Sequence, residues 1–217
     1  LAQIILTKLD PNMSFNNKIK DGGVFKEGDI GFTAQGNIHA LLKGERLLLN
    51  CMQRLSSIAT ETKKYVDLTS HTNCKILDTR KTTPNLRVLE KWAVKIGGGH
   101  NHRFGLYDMI MLKDNHVDFC GGITKALQSA KAYLEENNRL DIPIEIETRN
   151  LNEVKEALDC KIADRIMLDN FSPDTIKEAL KLINKQAETE ASGGINLKTV
   201  KMYAETGVDF VSVGALT

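Results

Sequence analysis

The chain has 217 residues and a formal net charge of +1, with 41% hydrophobic and 26% charged residues. No stretch approaches the roughly 18 consecutive apolar residues that a membrane span requires, so the sequence excludes a membrane protein. The nearly neutral charge argues against a nucleic-acid-binding protein with a globally basic surface. The cysteines at positions 51, 74, 120 and 160 show no metal-ligand spacing. Because no segment has the pattern of a secretory signal, we expect reduced thiols in a cytoplasmic protein.

Residues 1–72 are predicted to form the remainder of an N-terminal α/β domain. Turn signals such as Asp10-Pro11-Asn12 indicate short strands over residues 1–42. From Gly44 onward the apolar spacing predicts a long amphipathic connecting helix, with one face formed by Leu48, Met52, Leu55, Ala59, Thr62 and Val66. Arg46 falls in the first turn predicted for that helix, where the macrodipole disfavours a cation. Either a ligand or ordinary solvent exposure accounts for this arginine.

Residues 73–217 are predicted to form a catalytic domain in which strands and helices alternate. Six short apolar runs end in charged or glycine-rich tips, at residues 76–77, 109–112, 143–146, 165–168, 187–191 and 210–213. Helix boundaries are indicated by Thr83-Pro84, Asn150, Ser172 and Asn196 at the starts, and by left-handed Gly97 and Gly207 at two ends. Parallel strands deliver their C-terminal ends to one side of a β/α barrel. Since a closed barrel of this kind has about eight strands, six predict an open, incomplete one.

Positive charge is concentrated between the first two strand tips, and part of it is expected to be structural. Arg87, Lys91 and Lys95 are spaced four apart on the helix predicted to begin at Pro84. Such spacing is typical of a solvated helix face. We therefore expect these three side chains to point into solvent.

Four other cations lie at strand tips or in the loop that begins with Gly97-Gly98-Gly99; they are Arg80, Lys81, Arg103 and Lys113. Arginine matches a carboxylate with two parallel hydrogen bonds, whereas lysine offers a point charge suited to phosphate oxygens. The mixture predicts one pocket for two kinds of anion. The three glycines would let the backbone pass close to a ligand and aim His102 and Arg103 inward.

A phosphate site is predicted at the last two strand tips. Ser192-Gly193-Gly194 precedes a helix predicted to begin at Asn196, and Gly214 follows the last strand. Exposed amides at a helix N-terminus bind phosphate, and the final loops of a barrel often supply them. The alternative is that these glycines only form tight turns.

Glu147 and Asp169 end neighbouring predicted strands, so their carboxylates are expected to point into the same pocket. They would suit a hydroxylated sugar, a magnesium ion or a developing positive charge. The alternative is an internal salt bridge to Lys113 or Lys81. Both interpretations are compatible.

These residues carry a resemblance to a known family. The motifs are Asp78-Thr79-Arg80-Lys81-Thr82, Gly97-Gly98-Gly99 with Asn101-His102-Arg103, Leu112-Lys113-Asp114-Asn115-His116, Glu190-Ala191-Ser192-Gly193-Gly194 and Val213-Gly214-Ala215-Leu216-Thr217. In order and approximate spacing they resemble quinolinate phosphoribosyltransferase, also called nicotinate-nucleotide pyrophosphorylase (carboxylating). The resemblance covers nearly the whole chain, including Glu45-Arg46 and Ile58-Ala59-Thr60.

The resemblance implies phosphoribosyl transfer from phosphoribosyl pyrophosphate to quinolinate with decarboxylation. The products would be nicotinate mononucleotide, pyrophosphate and carbon dioxide, as in de novo NAD biosynthesis. It also implies Mg²⁺ and a homodimer, or a larger homo-oligomer, in which each pocket is completed by the N-terminal domain of the neighbour. No nucleic-acid or membrane partner is expected.

The resemblance assigns each predicted site residue a role. Quinolinate would be bound by Thr79, Arg80, His102, Arg103 and Lys113, with Arg46 reaching across from the neighbouring subunit. The 5-phosphate would be cradled by Ser192, Gly193, Gly194 and Gly214. The expected catalytic residues are Lys81 at the pyrophosphate, Lys113, and Glu147 with Asp169, which face the ribose hydroxyls and bind Mg²⁺ directly or indirectly. The donor of the final proton would be His102 or Lys113.

Departures from the family pattern are few. Ser57 and Asn85 replace residues that are usually glycine, and His100 stands where a small apolar residue is commoner. None of the three changes removes a charge. The resemblance also implies that most of the N-terminal domain precedes Leu1 and that a terminal helix follows Thr217.

Three alternative functions stay open at this point. Lys113 at a strand tip would suit the Schiff-base lysine of a barrel aldolase that acts on a phosphorylated sugar. A transferase of the same fold with a different acceptor would need the same cations. A catalytically silent anion-binding or regulatory protein is the alternative outside enzymes, although retention of every expected cation and both carboxylates weighs against it.

Overall fold

A computed structural model describes residues 1–217. Its N-terminal part consists of α1 (Ala2–Leu9), β1 (Ser14–Asn17), β2 (Phe32–Gln35) and α2 (Ile38–Thr69). The antiparallel pair β1–β2 agrees with the strands expected in residues 1–42, but α1 was not expected. Because α1 has no side-chain N-cap and buries Leu6 near Gly44 of α2, tertiary packing rather than local sequence stabilises it.

The long helix α2 begins at Ile38 rather than at Gly44. The side-chain oxygen of Asn37 accepts hydrogen bonds from the backbone amides of His39 and Ala40, at 2.8 and 3.4 Å, and so caps the helix. Arg46 therefore lies beyond the first turn. The expectation that the helix macrodipole disfavours this arginine is wrong, because the field acts mainly within the first turn.

The second part is the predicted open barrel. Its parallel strands are β3 (Lys75–Leu77), β4 (Ile110–Leu112), β5 (Ile144–Thr148), β6 (Arg165–Asp169), β7 (Glu188–Ser192) and β8 (Phe210–Ser212). Its helices are α3 (Arg87–Ile96), α4 (Asp114–Cys120), α5 (Ile123–Glu136), α6 (Leu151–Cys160), α7 (Pro173–Ile183) and α8 (Val200–Ala204). The strand order is β3-β8-β7-β6-β5-β4, so β3 and β4 are edges that do not pair. All six predicted strands and the open barrel are confirmed.

The free edge of β3 is covered by the glycine-containing loop, residues 97–103. The amide of His100 donates to the carbonyl of Ile76 at 2.7 Å, and the amide of Asp78 donates to the carbonyl of His100 at 3.1 Å. The loop thus satisfies edge groups that would otherwise be unpaired. It also lies beside the C-terminal tip of β3.

Side-chain alternation separates two environments around the sheet. In β6, Ile166 and Leu168 are fully buried in the hydrophobic core between the sheet and the helices. Arg165, Met167 and Asp169 alternate with them and therefore face the barrel interior. The C-terminal ends of all six strands meet on one side, where the candidate site lies.

Two helix starts differ from the expected positions. Helix α3 begins at Arg87 rather than Pro84, because Asn85 takes a left-handed φ of +64° that breaks a continuous helix. Helix α8 spans only Val200–Ala204 instead of starting at Asn196, whose side chain caps a preceding turn by accepting from the Lys198 amide at 3.0 Å.

The glycine run packs against α2, and the close approach is to this helix rather than to a ligand. A Cβ on Gly97 would lie 2.4 Å from the carbonyl oxygen of Ala59, and one on Gly99 would lie 2.7 Å from Thr62 Cγ2. Gly97 has a φ of −72°, so the expected left-handed cap is wrong there and falls on Gly98 at +87°. The left-handed conformation expected for Gly207 is confirmed.

Gly97→Ala is predicted to lower the free energy of unfolding by about 1–3 kcal/mol, because the methyl group overpacks the contact with α2. Gly31→Ala is the matched control, since nothing lies within 4 Å of its added Cβ; its effect should stay within about 0.5 kcal/mol. Urea unfolding followed by circular dichroism measures both. Equal stability of the two variants would contradict this contact.

Candidate anion-binding site

The tip of β3 is built around a buried ion pair. Asp78 and Lys91 are 0% and 1% exposed, and Lys91 Nζ lies 2.5 Å from Asp78 Oδ1. The expectation that Lys91 lies on a solvated face is therefore wrong. Arg87 is half-buried, with Nη1 donating to the Phe104 carbonyl at 3.2 Å, and only Lys95 is exposed. The loop folds over this helix face, a tertiary contact that four-residue spacing cannot reveal.

Asp78 joins three segments. Its carboxylate accepts hydrogen bonds from Asn101 Nδ2 at 2.6 Å and from the His102 amide at 2.8 Å, while Lys91 also donates to the His102 carbonyl at 3.0 Å. Burial raises the pKa of Asp78, although the positive charge of Lys91 acts to lower it. Burial lowers the pKa of Lys91, although the negative charge of Asp78 acts to raise it. The network fixes the β3 tip, α3 and the loop relative to one another.

Arg80 and Arg103 are held close to each other by this framework. Burial lowers the pKa of Arg103, and the neighbouring charge of Arg80 lowers it further. Arginine nevertheless keeps its positive charge in proteins. Arg103 Nη1 donates to the Met109 carbonyl at 3.3 Å, whereas Arg80 Nε is buried without a hydrogen-bond partner. Two neighbouring cations, one with an unused buried donor, favour an anionic ligand.

Lys81 lies beside the last strand tip. Its Cδ and Nζ atoms come within 3.4 and 3.5 Å of the position that a Cβ on Gly214 would occupy. The amide of Lys81 donates to Thr79 Oγ1 at 3.0 Å, and its carbonyl accepts from Thr217 Oγ1 at 3.2 Å. The structure therefore brings Lys81, Thr79 and Gly214 together, and the missing side chain at Gly214 leaves room for the lysine.

The two predicted carboxylates end the adjacent strands β5 and β6. Lys113 Nζ lies 3.3 Å from Glu147 Oε2, so the internal salt bridge considered for Lys113 is present. Asp169 Oδ2 accepts from Asn170 Nδ2 at 2.6 Å. Glu147 is 8% exposed. Each carboxylate already has one partner.

The Ser192-Gly193-Gly194 loop contacts the tip of β6. The Asn170 amide donates to the Ser192 carbonyl at 2.8 Å, and a Cβ on Gly193 would lie 2.2 Å from Asn170 Oδ1. Gly193 and Gly194 have φ values of +103° and +60°, which glycine adopts without strain. Because α8 begins only at Val200, the Ser192-Gly193-Gly194 loop does not lead directly into a helix N-terminus as expected.

Among the residues of a charged cluster in the barrel interior, only His102 was a predicted site residue, whereas Glu145, Arg165 and Glu190 were not. His102 Nε2 lies 2.9 Å from Glu145 Oε2 and 3.4 Å from Glu190 Oε2, and Arg165 Nη1 lies 3.3 Å from Glu190 Oε2. Glu145 and Glu190 are fully buried. A sequence signal existed: each glutamate lies two positions before a predicted site residue of its strand, Glu147 or Ser192, and so shares its face.

Arg46 lies apart from the barrel tips within this chain. It is exposed on α2 and lines a groove of about 550 Å³ with Phe25, Leu49, Met52, Gln53, Ser56, Ser57, Thr60, Glu61 and Lys64.

A second cavity, of about 690 Å³, lies at the amino ends of β6 and β7, and no predicted site residue lines it. No helix combines the length and apolarity needed to cross a bilayer.

The open parallel barrel, with arginines, lysines and carboxylates at its strand tips, defines an α/β-barrel protein with a candidate site for anionic ligands. Two family profiles match the chain: the quinolinate phosphoribosyl transferase C-terminal domain over residues 58–217 and its N-terminal domain over residues 2–56. The chain therefore belongs to the quinolinate phosphoribosyl transferase family. The profiles divide the chain within α2, and the boundary at 72–73 stays a prediction.

Several relatives resemble the chain along all or nearly all of its length. A tobacco quinolinate phosphoribosyltransferase [decarboxylating] 2b, mitochondrial, is 45% identical over 100% of this chain and 65% of its own length. A probable nicotinate-nucleotide pyrophosphorylase [carboxylating] of Bacillus subtilis is 46% identical over 96% of this chain and 71% of its own. The crystal structure of NadC from Streptococcus pyogenes superposes with a TM-score of 0.93 at 41% identity, covering 100% of this chain and 75% of that one. The chain thus spans about 65% of the length of the plant relative.

Lys91→Met is predicted to lower the free energy of unfolding by about 3–5 kcal/mol, because it leaves the Asp78 carboxylate buried without its cation. Lys95→Met, on the exposed face of the same helix, is the matched control and should change stability by less than about 0.5 kcal/mol. Asp78→Asn combined with Lys91→Met should recover part of the loss, since neither buried charge then remains unpaired. Denaturant titration measures all three. If Lys91→Met were as stable as Lys95→Met, the buried pair would not hold the tip.

Proposed function

We propose that the protein is an enzyme that transfers phosphoribosyl from phosphoribosyl pyrophosphate to quinolinate with loss of carbon dioxide, yielding nicotinate mononucleotide and pyrophosphate. The observation that carries this proposal is the neighbouring pair of cations, Arg80 and Arg103, with the unpartnered Arg80 Nε between strand tip and loop. Quinolinate has two adjacent carboxylates, and arginine binds carboxylates with paired hydrogen bonds. Relatives of the same family that carry the name quinolinate phosphoribosyltransferase support it.

The other strand tips suit the phosphorylated substrate. Lys81 provides a mobile point charge for the pyrophosphate. Gly214, which lies close to it, and the Ser192-Gly193-Gly194 loop, in which Gly194 is exposed and the other two residues are half-buried, offer a surface for the 5-phosphate. Thr79 and Lys113 complete the binding of quinolinate in this proposal.

Glu147 and Asp169 fit a magnesium ion by their chemistry. Both are carboxylates at the ends of adjacent strands, and Mg²⁺ prefers oxygen ligands and is usually held by one or two carboxylates together with substrate phosphates. When bound with pyrophosphate, Mg²⁺ would neutralise charge on the leaving group. The salt bridge from Lys113 orients Glu147.

The proposed reaction follows from the placement of charge. Lys81 stabilises the departing pyrophosphate while the ribose carbon becomes cationic, and the nearby carboxylates of Glu147 and Asp169 stabilise that cation. The quinolinate nitrogen then forms the bond to the ribose carbon and becomes a pyridinium. Loss of the adjacent carboxylate as carbon dioxide leaves an electron pair on the ring carbon, where the positive nitrogen stabilises it. One proton then completes nicotinate mononucleotide.

Lys113 is the better candidate for the final proton donor. Its side chain is 45% exposed at the site, and its ammonium group carries protons available for transfer. Both ring nitrogens of His102, by contrast, face protein groups: Nδ1 lies 2.7 Å from the Arg103 amide and Nε2 lies 2.9 Å from Glu145. His102 therefore positions the loop in this proposal rather than binding quinolinate directly.

We further propose a homodimer, or a larger homo-oligomer, in which Arg46 of one subunit completes the site of another. Within one chain, Arg46 lies in a groove that contains none of the barrel-tip residues, so its proposed role requires a second copy. Neither a nucleic acid nor a membrane is part of this proposal. A cytoplasmic location stays a prediction; the names of plant relatives specify mitochondria or chloroplasts.

Two rival functions make different predictions. A Schiff-base aldolase requires an uncharged lysine, whereas Lys113 is paired with Glu147, and borohydride reduction with a sugar phosphate should trap no adduct. A transferase with another acceptor would release pyrophosphate with a different ring acid and not with quinolinate.

The direct prediction is that the protein releases carbon dioxide and pyrophosphate in equal amounts from quinolinate, phosphoribosyl pyrophosphate and Mg²⁺. Chelation of Mg²⁺ should abolish the release, and Arg103→Gln should raise KM for quinolinate by about tenfold or more, because a charge-assisted bidentate contact is lost. Lys95→Met, far from the tips on the exposed face of α3, serves as the control. Pyrophosphate release without carbon dioxide would contradict the proposal.

A mixing experiment tests the shared site. Arg46→Ala and Lys81→Ala should each abolish most activity, but a mixture refolded together should regain about a quarter of the wild-type activity, since half the dimers are mixed and one of their two sites is intact. Each variant refolded alone, under the same conditions, is the control. No recovery in the mixture would mean that Arg46 acts within its own chain.

A further inference from the structure

Arg87 on α3 makes contacts that the proposed reaction does not use. Each of its three guanidinium nitrogens donates to a different oxygen: Nε to Thr82 Oγ1 at 3.1 Å, Nη1 to the Phe104 carbonyl at 3.2 Å, and Nη2 to the Arg80 carbonyl at 3.4 Å. All three acceptors are uncharged. Because the guanidinium is planar and rigid, the three hydrogen bonds fix these oxygens relative to one another.

The three acceptors belong to the two segments that carry the cations of the candidate site. In the β3 tip, the two oxygens that Arg87 binds flank Lys81, the residue proposed for the pyrophosphate. In the loop over the β3 edge, Phe104 directly follows Arg103. One side chain of α3 thus connects the β3 tip to the loop right beside the cations.

The loop is held from a second side at the same place. The amides of Phe104 and Gly105 donate to the two carboxylate oxygens of Asp108, at 2.6 and 2.9 Å, while the Phe104 carbonyl accepts from Arg87. Loop segments are usually more mobile than the strands and helices they connect. The residue next to Arg103 is instead fixed by charged side chains on both of its backbone groups.

Other side chains of α3 hold these segments farther from the cations. The ion pair of Lys91 joins the segments at their base, and Glu90 Oε2 accepts from the Thr83 amide at 2.9 Å, at the far end of the β3 tip. Both anchors stay in place without Arg87. Loss of Arg87 should therefore loosen the cations without detaching the segments that carry them.

The positive charge of Arg87 is the competing explanation for its presence near an anion site. The side chain is half-buried and all three nitrogens already have acceptors, which disfavours direct contact with a ligand. A lysine would supply the same charge from a single nitrogen, and it could not reproduce the three-way contact. Arg87→Lys therefore separates the charge from the hydrogen bonds.

We propose that Arg87 is a positioning residue that holds residues 80–82 against the loop at Phe104, so that the cations of both segments keep one arrangement before a ligand binds. A site that is already ordered binds its ligand with a smaller loss of conformational entropy. The effect of Arg87 on substrate affinity rests on the proposed function, whereas its effect on the two segments does not. The two effects are tested separately.

Backbone hydrogen exchange, followed by mass spectrometry on the ligand-free protein, tests the contact itself. In Arg87→Lys, exchange should become about tenfold faster in peptides covering residues 79–83 and 103–105 and stay unchanged in β6. The matched control is Arg139→Lys, an exposed arginine that pairs with Asp141 ahead of β5. Unchanged exchange in both segments would overturn the proposal, whether or not the protein acts on quinolinate. Faster exchange throughout the chain would overturn it too, because it would reveal a general loss of stability.

Calorimetric titration with quinolinate tests the consequence for binding. Arg87→Lys and Arg87→Met should each raise Kd about tenfold with the number of sites per chain unchanged, because the binding cations remain but lose their arrangement. Wild-type affinity in Arg87→Lys would mean that charge alone suffices, and fewer sites of unchanged affinity would mean partial unfolding; either result would overturn the proposal. If the wild-type protein bound no quinolinate, the proposed function would fail, while hydrogen exchange would still decide the role of Arg87.

Thr82→Val provides the test if Arg87→Lys does not fold. It removes the oxygen that accepts from Arg87 Nε and keeps the size and branching of the side chain. Exchange in residues 79–83 should become about threefold faster, and Kd for quinolinate should rise by about the same factor. No change in either quantity would contradict the proposed contact.

Discussion

The candidate site depends on a salt bridge that has almost no contact with solvent. Asp78 and Lys91 together with the His102 backbone connect the β3 tip, α3 and the loop that covers the open edge of the barrel. A buried ion pair adds little net stability over an apolar pair, but loss of one partner is expensive. Its value here is geometric, because it fixes the β3 tip and the loop, the two segments that carry Arg80 and Arg103, although the charges of these arginines repel.

Much of the fold could be predicted from the sequence. Six apolar runs with functional tips indicate parallel strands, and alternation along each strand places Glu147 and Asp169 on the interior face. Helix boundaries were predicted less well, because Asn85 and Asn196 form local turns in place of helix starts. Helix α1 depends on packing against α2, which local sequence does not report.

The candidate site could be predicted in its charges but not in its internal contacts. Spacing indicated cations at the strand tips, yet it misassigned Lys91, since only the tertiary position of the loop buries that face of α3. The glycines at 97 and 99 were attributed to ligand approach, but they allow contact with α2. The buried carboxylates of Glu145 and Glu190 were missed because a glutamate within a short strand has no motif of its own. In each case the missing information is which segment packs against the residue.

Calorimetric titration with quinolinate and with nicotinate tests most directly whether the fold assembles a site for two adjacent carboxylates. The two ligands share a ring and differ in one carboxylate, so their difference in affinity reports the second carboxylate alone. With two arginines near enough for their charges to interact, quinolinate should bind at least about tenfold more tightly, and the difference should shrink as salt screens the charges. Equal affinity for the two acids would contradict a paired-arginine site.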